Sequence, residues 1–373
     1  MSSQKSLAII ATAVFAVVCF ILPLATAARS SSSSSGFVYV MTNNPSGNSV
    51  IEYSRASNGM LNQISEVSTG GLGGTGNGVG ALDPLGSQDS LVLGGAGSVL
   101  LAVNAGSNQL SAITVSSTGL HVMNTVSSGG TFPNSVALAG TLVYVLNAHG
   151  TPNISGFRLS PTGLIAITNS KFDLPGTSLP KPHDIRFSLD GMRLLVSDEG
   201  NNQIDVFQLD SSGLVTNVKS SPSPGSGPFG MRFARDGVLL NAEANSNSVS
   251  SYILNADNTL TVISPAVANG QAATCWISVT ADGKFAFTSN TGAGDLSSYH
   301  LSANGTLDLE QAVAATADGG NPIDSALSAD SAFLYAVDTS MGKILIYRVT
   351  GASLALIGSV SRLPTTVQGI EAQ

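Results

Sequence analysis

The sequence predicts an all-β fold, a seven-bladed β-propeller of four-stranded antiparallel blades whose ring is closed by the C-terminal strand joining the first blade. Three observations carry this expectation. A motif of apolar run, Asn or acid, and small-residue turn recurs seven times. Tight-turn dipeptides recur in phase with it. No helical period interrupts the alternation beyond the N-terminal segment.

The motif runs VYVMTNN (38–44), LLAVNAG (100–106), VYVLNAH (143–149), LLVSDEG (194–200), LLNAEAN (239–245), AFTSNTG (286–292) and LYAVDTS (334–340). Its polar markers are Asn43, Asn104, Asn147, Asp198, Glu243, Asn290 and Asp338, separated by steps of 61, 43, 51, 45, 47 and 48 residues. Before the later markers stand Asp190-Gly191, Asp236-Gly237, Asp282-Gly283 and Asp330-Ser331, dipeptides that favour hairpins because both positions tolerate positive φ. A second set of turns closes each unit, among them Asn58-Gly59, Thr162-Gly163 and Asn304-Gly305. The first unit starts at its second strand, while 365–372 supplies a surplus strand at the far end. Pairing the two removes an exposed sheet edge.

Composition narrows the function classes. The 373 residues carry a net charge of −8, and only 10% are charged, so the basic surface that holds nucleic acid is missing. A 43% hydrophobic content rules against disorder. Lys5 precedes an apolar run over 7–24, and Ala25-Thr26-Ala27 offers small residues to a signal peptidase. The expected division is a signal peptide over 1–28, a Ser-rich linker over 29–36 and one propeller domain over 37–373. An uncleaved anchor is the alternative. The expected product is a secreted, periplasmic or cell-wall-associated monomer with no membrane attachment after cleavage. Cys275 is then the sole thiol and no intramolecular disulfide can form. Asn153 and Asn304 sit in glycosylation sequons, relevant in a eukaryotic source. The run 71–76 matches GxGxxG but opens no helix, and reads as a flexible loop that accounts for the 61-residue step.

Residues that repeat in every unit serve the blade; residues that break the pattern need their own explanation. The Asn/Asp markers read as turn caps. Glu243 departs from them as the longer acid, and is a functional candidate. The starts of the inner strands vary most: Gln88, Asn134, His183, Phe229, Trp276, Asp324 and Gln368. In a propeller these positions meet at one mouth of the central channel. His183 there could act as a general base, with amides or backbone N–H groups holding an oxyanion. Arg186 and Arg232 stand at one offset in adjacent inner strands, which reads as interblade ion pairing, with an anion clamp as the alternative. Trp276 reads as a core or channel-lining aromatic, or a surface for stacking a sugar. No metal or other cofactor is expected.

The stretches GSQDSLVL (86–93), NAGSNQLSAI (104–113), TCWISVTADGKFAFTSNTG (274–292) and NPIDSALS (321–328) resemble the lactonase-family propellers, which hold phosphogluconolactonases and carboxymuconate cyclases. The likeness is nearest to an exported, carboxymuconate-cyclase-like branch. It implies that His183 matches the family's inner-strand His and that Glu243 matches its acid. Gly227-Pro228-Phe229-Gly230 replaces the family's Gly-Pro-Arg-His. Two readings follow. One is an enzyme hydrolysing or isomerising a small lactone or sugar acid, with His183 and Glu243 catalytic and Gln88, Asn134, Arg186, Phe229, Arg232, Trp276, Asp324 and Gln368 lining the site. The other is a non-catalytic propeller that binds a glycan, a cell-surface component or a protein.

Overall fold

A computed structural model describes residues 35–373 apart from Val79 and Ser178. The N-terminal apolar segment and most of the Ser-rich linker lie outside the described residues. Seven antiparallel sheets follow in chain order. Their inner strands contact one another in sequence around a closed ring, ending where Ile370–Ala372 meets Leu91–Gly94. The closing strand pairs Ile370 with Val40 and Ala372 with Val38, which completes blade 1 as expected. It is shorter than the surplus stretch in the sequence, because residues 365–366 form a turn. Blade 3 departs from four strands: Phe172–Asp173 adds a fifth beside Asn153–Ile154.

Period-2 alternation decides what each strand buries. Second and third strands such as Arg193–Asp198 and Gln203–Leu209 sit between neighbouring blades and are buried on both faces. Outer strands such as Leu61–Ser68 are largely exposed. Tyrosines reach across the seams: Tyr335 Oη donates to the Gly59 carbonyl at 3.1 Å, tying blade 7 to blade 1.

The markers have one repeated job. Each stands within two residues of the end of the second strand of its blade and bonds the segment entering that blade's inner strand. Asp198 Oδ1 accepts from Lys181 N at 2.8 Å, and Asp338 Oδ1 from Asn321 N at 3.2 Å. Asn147 Nδ2 donates to the Ser128 carbonyl, and Asn43 Nδ2 to that of Thr366. Asn290 Oδ1 accepts from Thr274 Oγ1 at 2.8 Å. All seven are fully buried, so each bond satisfies backbone or side-chain groups that have lost water.

Five inner strands open alike. Near their starts Pro133, Pro182, Pro228, Thr274 and Pro322 pair with markers Asn147, Asp198, Glu243, Asn290 and Asp338, and the register shifts directly afterwards. Counted from these paired residues, the candidate ring mixes two positions. His183, Phe229 and Asn134 share a position with Cys275 and Ile323. Trp276 and Asp324 stand one residue later, with Ser135, Asp184 and Gly230.

The glycine-rich segment also differs from a free loop. A Cβ on Gly73 would meet the Asn43 carbonyl oxygen at 2.1 Å, and one on Gly74 would meet Phe132 at 2.7 Å. The segment therefore lies against blades 1 and 3 at contact distances that only glycine permits.

Candidate functional site

Beyond the glycines, the long first connection does something the sequence did not signal. Residues 84–90 are buried inside the ring and bond inner strands on nearly every side. Ser87 Oγ donates to the Asn134 carbonyl in blade 3, and Gln88 N to the His183 carbonyl in blade 4. Gln88 then spans the channel: its Nε2 donates to the Met231 carbonyl at 3.1 Å, while its Oε1 accepts from Ile277 N at 2.9 Å. Trp276 Nε1 donates to the Ser87 carbonyl at 2.8 Å. Gln368 accepts from Leu85 N and donates to the Ser87 carbonyl and to Asp83 Oδ1. Gly230 leaves room for this crossing, since a Cβ there would sit 2.3 Å from Gln88 Oε1. Gln88, Trp276 and Gln368 thus hold a plug in the channel. Asn134 is buried nearby, with Nδ2 donating to the Pro182 carbonyl.

His183 stands at the mouth end of blade 4, above the plug. Its Nδ1 lies 2.5 Å from the Gly86 carbonyl oxygen, which can only accept, so Nδ1 carries a proton. Its Nε2 lies 2.8 Å from Glu199 Oε2. The ring stacks on Phe229 at 4.2 Å between centroids, and Phe229 meets Trp276 edge-on at 5.1 Å. Glu199 follows marker Asp198 directly and keeps 20% of its side chain exposed. Lys181 Nζ pairs with the same oxygen at 2.9 Å, and Asn245 Nδ2 approaches Oε1 at 3.4 Å. Hydrogen bonding from His183 and from Lys181 brings the Glu199 carboxyl down to about 2 against the cost of its burial, so it is ionised across the neutral range. Asp83, beneath the mouth, is pushed up to about 6 by burial.

Glu243 is not part of this cluster. Both nitrogens of His183 are engaged elsewhere, and the Glu243 carboxylate is fully buried within blade 5. It accepts from Ser223 Oγ at 2.9 Å, Gly225 N at 3.0 Å, Ser248 Oγ at 2.6 Å and Ser250 Oγ at 2.6 Å. It performs the capping job of the other six markers with a longer side chain.

Deeper in the channel, Arg186 and Arg232 converge on Asp89 of the plug. Arg232 Nη2 lies 2.7 Å from Asp89 Oδ1 and Nη1 3.0 Å from Oδ2, and Arg186 Nη2 takes Oδ2 as well. Both arginines are therefore ion-paired, yet through a third segment rather than blade to blade. Burial pushes Asp324 well up and Glu371 to about 8, with the Asp89 charge adding to both. Asp184 is likewise raised by burial, and its Oδ2 accepts from Met231 N at 2.8 Å. Among the described residues no group of three or more His, Cys, Asp or Glu side chains is arranged to hold a metal. Also among them, no helix is long and apolar enough to cross a membrane.

Sequence reasoning missed Glu199, Lys181, Gly86 and Asp89. A signal existed for the first: Glu199 is an acid beside a marker that already has one, in the blade that carries the inner-strand His.

Known proteins match this architecture. The model of the lactonase family, described as a seven-bladed β-propeller, matches residues 96–368. No curated protein matches the chain by sequence. A Bacteroides fragilis structure described as a candidate 6-phosphogluconolactonase superposes with a TM-score of 0.74 at 20% identity, covering 91% of this chain and 99% of that one. The periplasmic gluconolactonase of Pseudomonas aeruginosa superposes with a TM-score of 0.71 at 15% identity, covering 90% and 98%. A Lactobacillus plantarum protein does so with 0.72 at 20% identity, covering 91% and 99%. At these identities the likeness speaks for the fold alone. Ring, closure and family model agree, and the chain belongs to the lactonase family of seven-bladed β-propellers.

Proposed function

We propose that the protein hydrolyses a small lactone of the sugar-acid type at the channel mouth, with His183 as general base and Glu199 as its ionised partner. The observation that carries this reading is the His183–Glu199 contact of 2.8 Å beside a side chain that solvent still reaches. Because the Gly86 carbonyl keeps the proton on Nδ1, Nε2 is the nitrogen that gains or loses one. In the closed arrangement Nε2 donates to the ionised Glu199, so the base forms only when Glu199 swings aside and Nε2 gives up that proton to solvent. A water then bound at Nε2 would give up its proton as its oxygen attacks the lactone carbonyl, and the imidazolium formed would pair again with the returning Glu199 carboxylate. Lys181 Nζ and Asn245 Nδ2 lie on the same carboxylate and are the nearest donors for the developing oxyanion. Ring opening returns the proton to the leaving alkoxide, which leaves a hydroxy acid. Arg186, Arg232, Asp324, Gln88 and Gln368 enter this reading as supports of the floor rather than as ligand contacts.

Export through the N-terminal segment belongs to the same reading, and so does a monomeric product. The superposition on a periplasmic gluconolactonase supports it.

The non-catalytic reading has its own supporting observation. His183 is 4% exposed and both its nitrogens are bonded, so water reaches Nε2 only if Glu199 swings aside. A panel of γ- and δ-lactones assayed with the purified protein, His183→Ala and Glu199→Gln distinguishes the two. The catalytic reading expects turnover, a loss of about 100-fold or more in His183→Ala, and a loss of about 10-fold or more in Glu199→Gln. Folded protein without turnover, or turnover that both variants keep, rejects it.

A further inference from the structure

Asp89 occupies the place of a bound ligand. Its carboxylate receives two parallel N–H bonds from Arg232 and a further one from Arg186, the fork geometry with which arginine holds a free carboxylate. Its backbone has φ of 59°, the left-handed region that costs a non-glycine residue about 1 kcal/mol. Val136 N donates to its carbonyl at 2.9 Å and helps to hold it there. The side chains of Arg186 and Arg232 remain 21% and 22% exposed, so solvent enters this depth of the channel, while Asp89 is 6% exposed. Arg186 also keeps one buried donor, Nε, without a hydrogen-bond partner. The neighbouring acids leave the terminal nitrogens of the two forks to Asp89. Asp184 is bonded to Met231 N and approaches Arg186 only at Nε, at 3.9 Å, and no ion pair joins Asp324 or Glu371 to either arginine among the described residues.

We infer that Arg186 and Arg232 form a binding site for a small carboxylate, and that the protein fills this site with its own Asp89. The plug segment thus carries a tethered ligand, and a free organic acid meets only the mouth. The inference does not depend on hydrolysis at His183.

Formate is the probe, compared with chloride at equal ionic strength. Asp89→Gly removes the carboxylate and relieves the left-handed backbone, so folding is expected to survive. Asp89→Asn removes the charge but keeps the volume filled. In Asp89→Gly, formate should raise the melting temperature by about 2–4 °C in a saturable way and give a binding heat, with no such response in the wild type or in Asp89→Asn. The site is overturned if formate acts no differently from chloride on Asp89→Gly, or if all three proteins respond alike. Should Asp89→Gly fail to fold in chloride, recovery of folded protein in formate supports the site. Recovery in neither salt, with a folded Asp89→Asn indifferent to both, decides against it.

Discussion

Two glutamates in adjacent blades show how position outranks residue type. Glu243 stands on a marker, has no exposed surface and accepts from four buried donors. Glu199 stands one residue past a marker, keeps a fifth of its side chain in solvent, and meets a lysine and a histidine. One carboxylate holds the blade together; the other belongs to the mouth. The same division separates the plug, fixed by bonds around the whole ring, from the cluster above it.

The largest expected effect breaks that comparison if it fails. Glu243→Ala removes the acceptor shared by Ser223, Gly225, Ser248 and Ser250 in a buried space and should cost ~3–5 kcal/mol in a denaturation curve. Glu199→Ala loses the exposed Lys181 pair and the bond to His183 Nε2, which water entering from the mouth can replace, and should cost ~1–2 kcal/mol. Equal losses would erase the distinction. Next comes Gly230→Ala, whose new methyl would press on Gln88 Oε1 at 2.3 Å and on the Cys275 carbonyl at 2.8 Å. Displacing the plug there should cost ~1–3 kcal/mol. Gly47→Ala, with nothing within 4 Å, should change stability by less than half of that.

The repeats made the ring legible because propeller blades reuse one solution: marker, turn, alternating strand. Closure by 370–372 was legible because an unpaired first strand needs an edge partner. The site was less legible for two physical reasons. His183 directly follows the residue that pairs with its marker, whereas Trp276 and Asp324 stand second after theirs, and only the strand pairing identifies those reference residues. The plug reaches blades 3 to 6 through bonds spanning 47 to 189 residues, which no local pattern encodes. Glu243 drew attention by departing from Asn or Asp, yet the longer acid still reaches Gly225, so the departure is geometric compensation.

Acidity sharpens the comparison with opposite signs. Burial raises Asp205 to about 7 and Glu371 to about 8, so the folded protein holds protons that the unfolded chain has already lost above about pH 4. Their contribution is full at low pH and declines as pH rises through 7 to 8. Glu199, lowered to about 2, contributes in the reverse direction: fully above about pH 4.5, and lost as pH falls towards 2. Denaturation midpoints should therefore fall between about pH 5 and pH 8, and the fall should flatten in Asp205→Asn and Glu371→Gln. A midpoint that rises over this range would mean that these buried acids are ionised in the fold.

The smallest expected effect is a null one, and it locates the boundary between mouth and interior. Cys275 shares the ring position of His183, and the nearby charges of Asp83 and Glu199 add to a burial that pushes its thiol well up. It is 7% exposed, so little of it meets water even though the mouth cluster is close. A thiol held protonated and covered is a poor nucleophile. An aromatic disulfide reagent at neutral pH should leave the native protein unlabelled for hours and label one thiol per molecule, if the N-terminal segment has been removed, once denaturant is added. Rapid labelling of the native protein would mean that the mouth opens down to the inner strand of blade 6, and Glu199 would then guard an entrance rather than a floor.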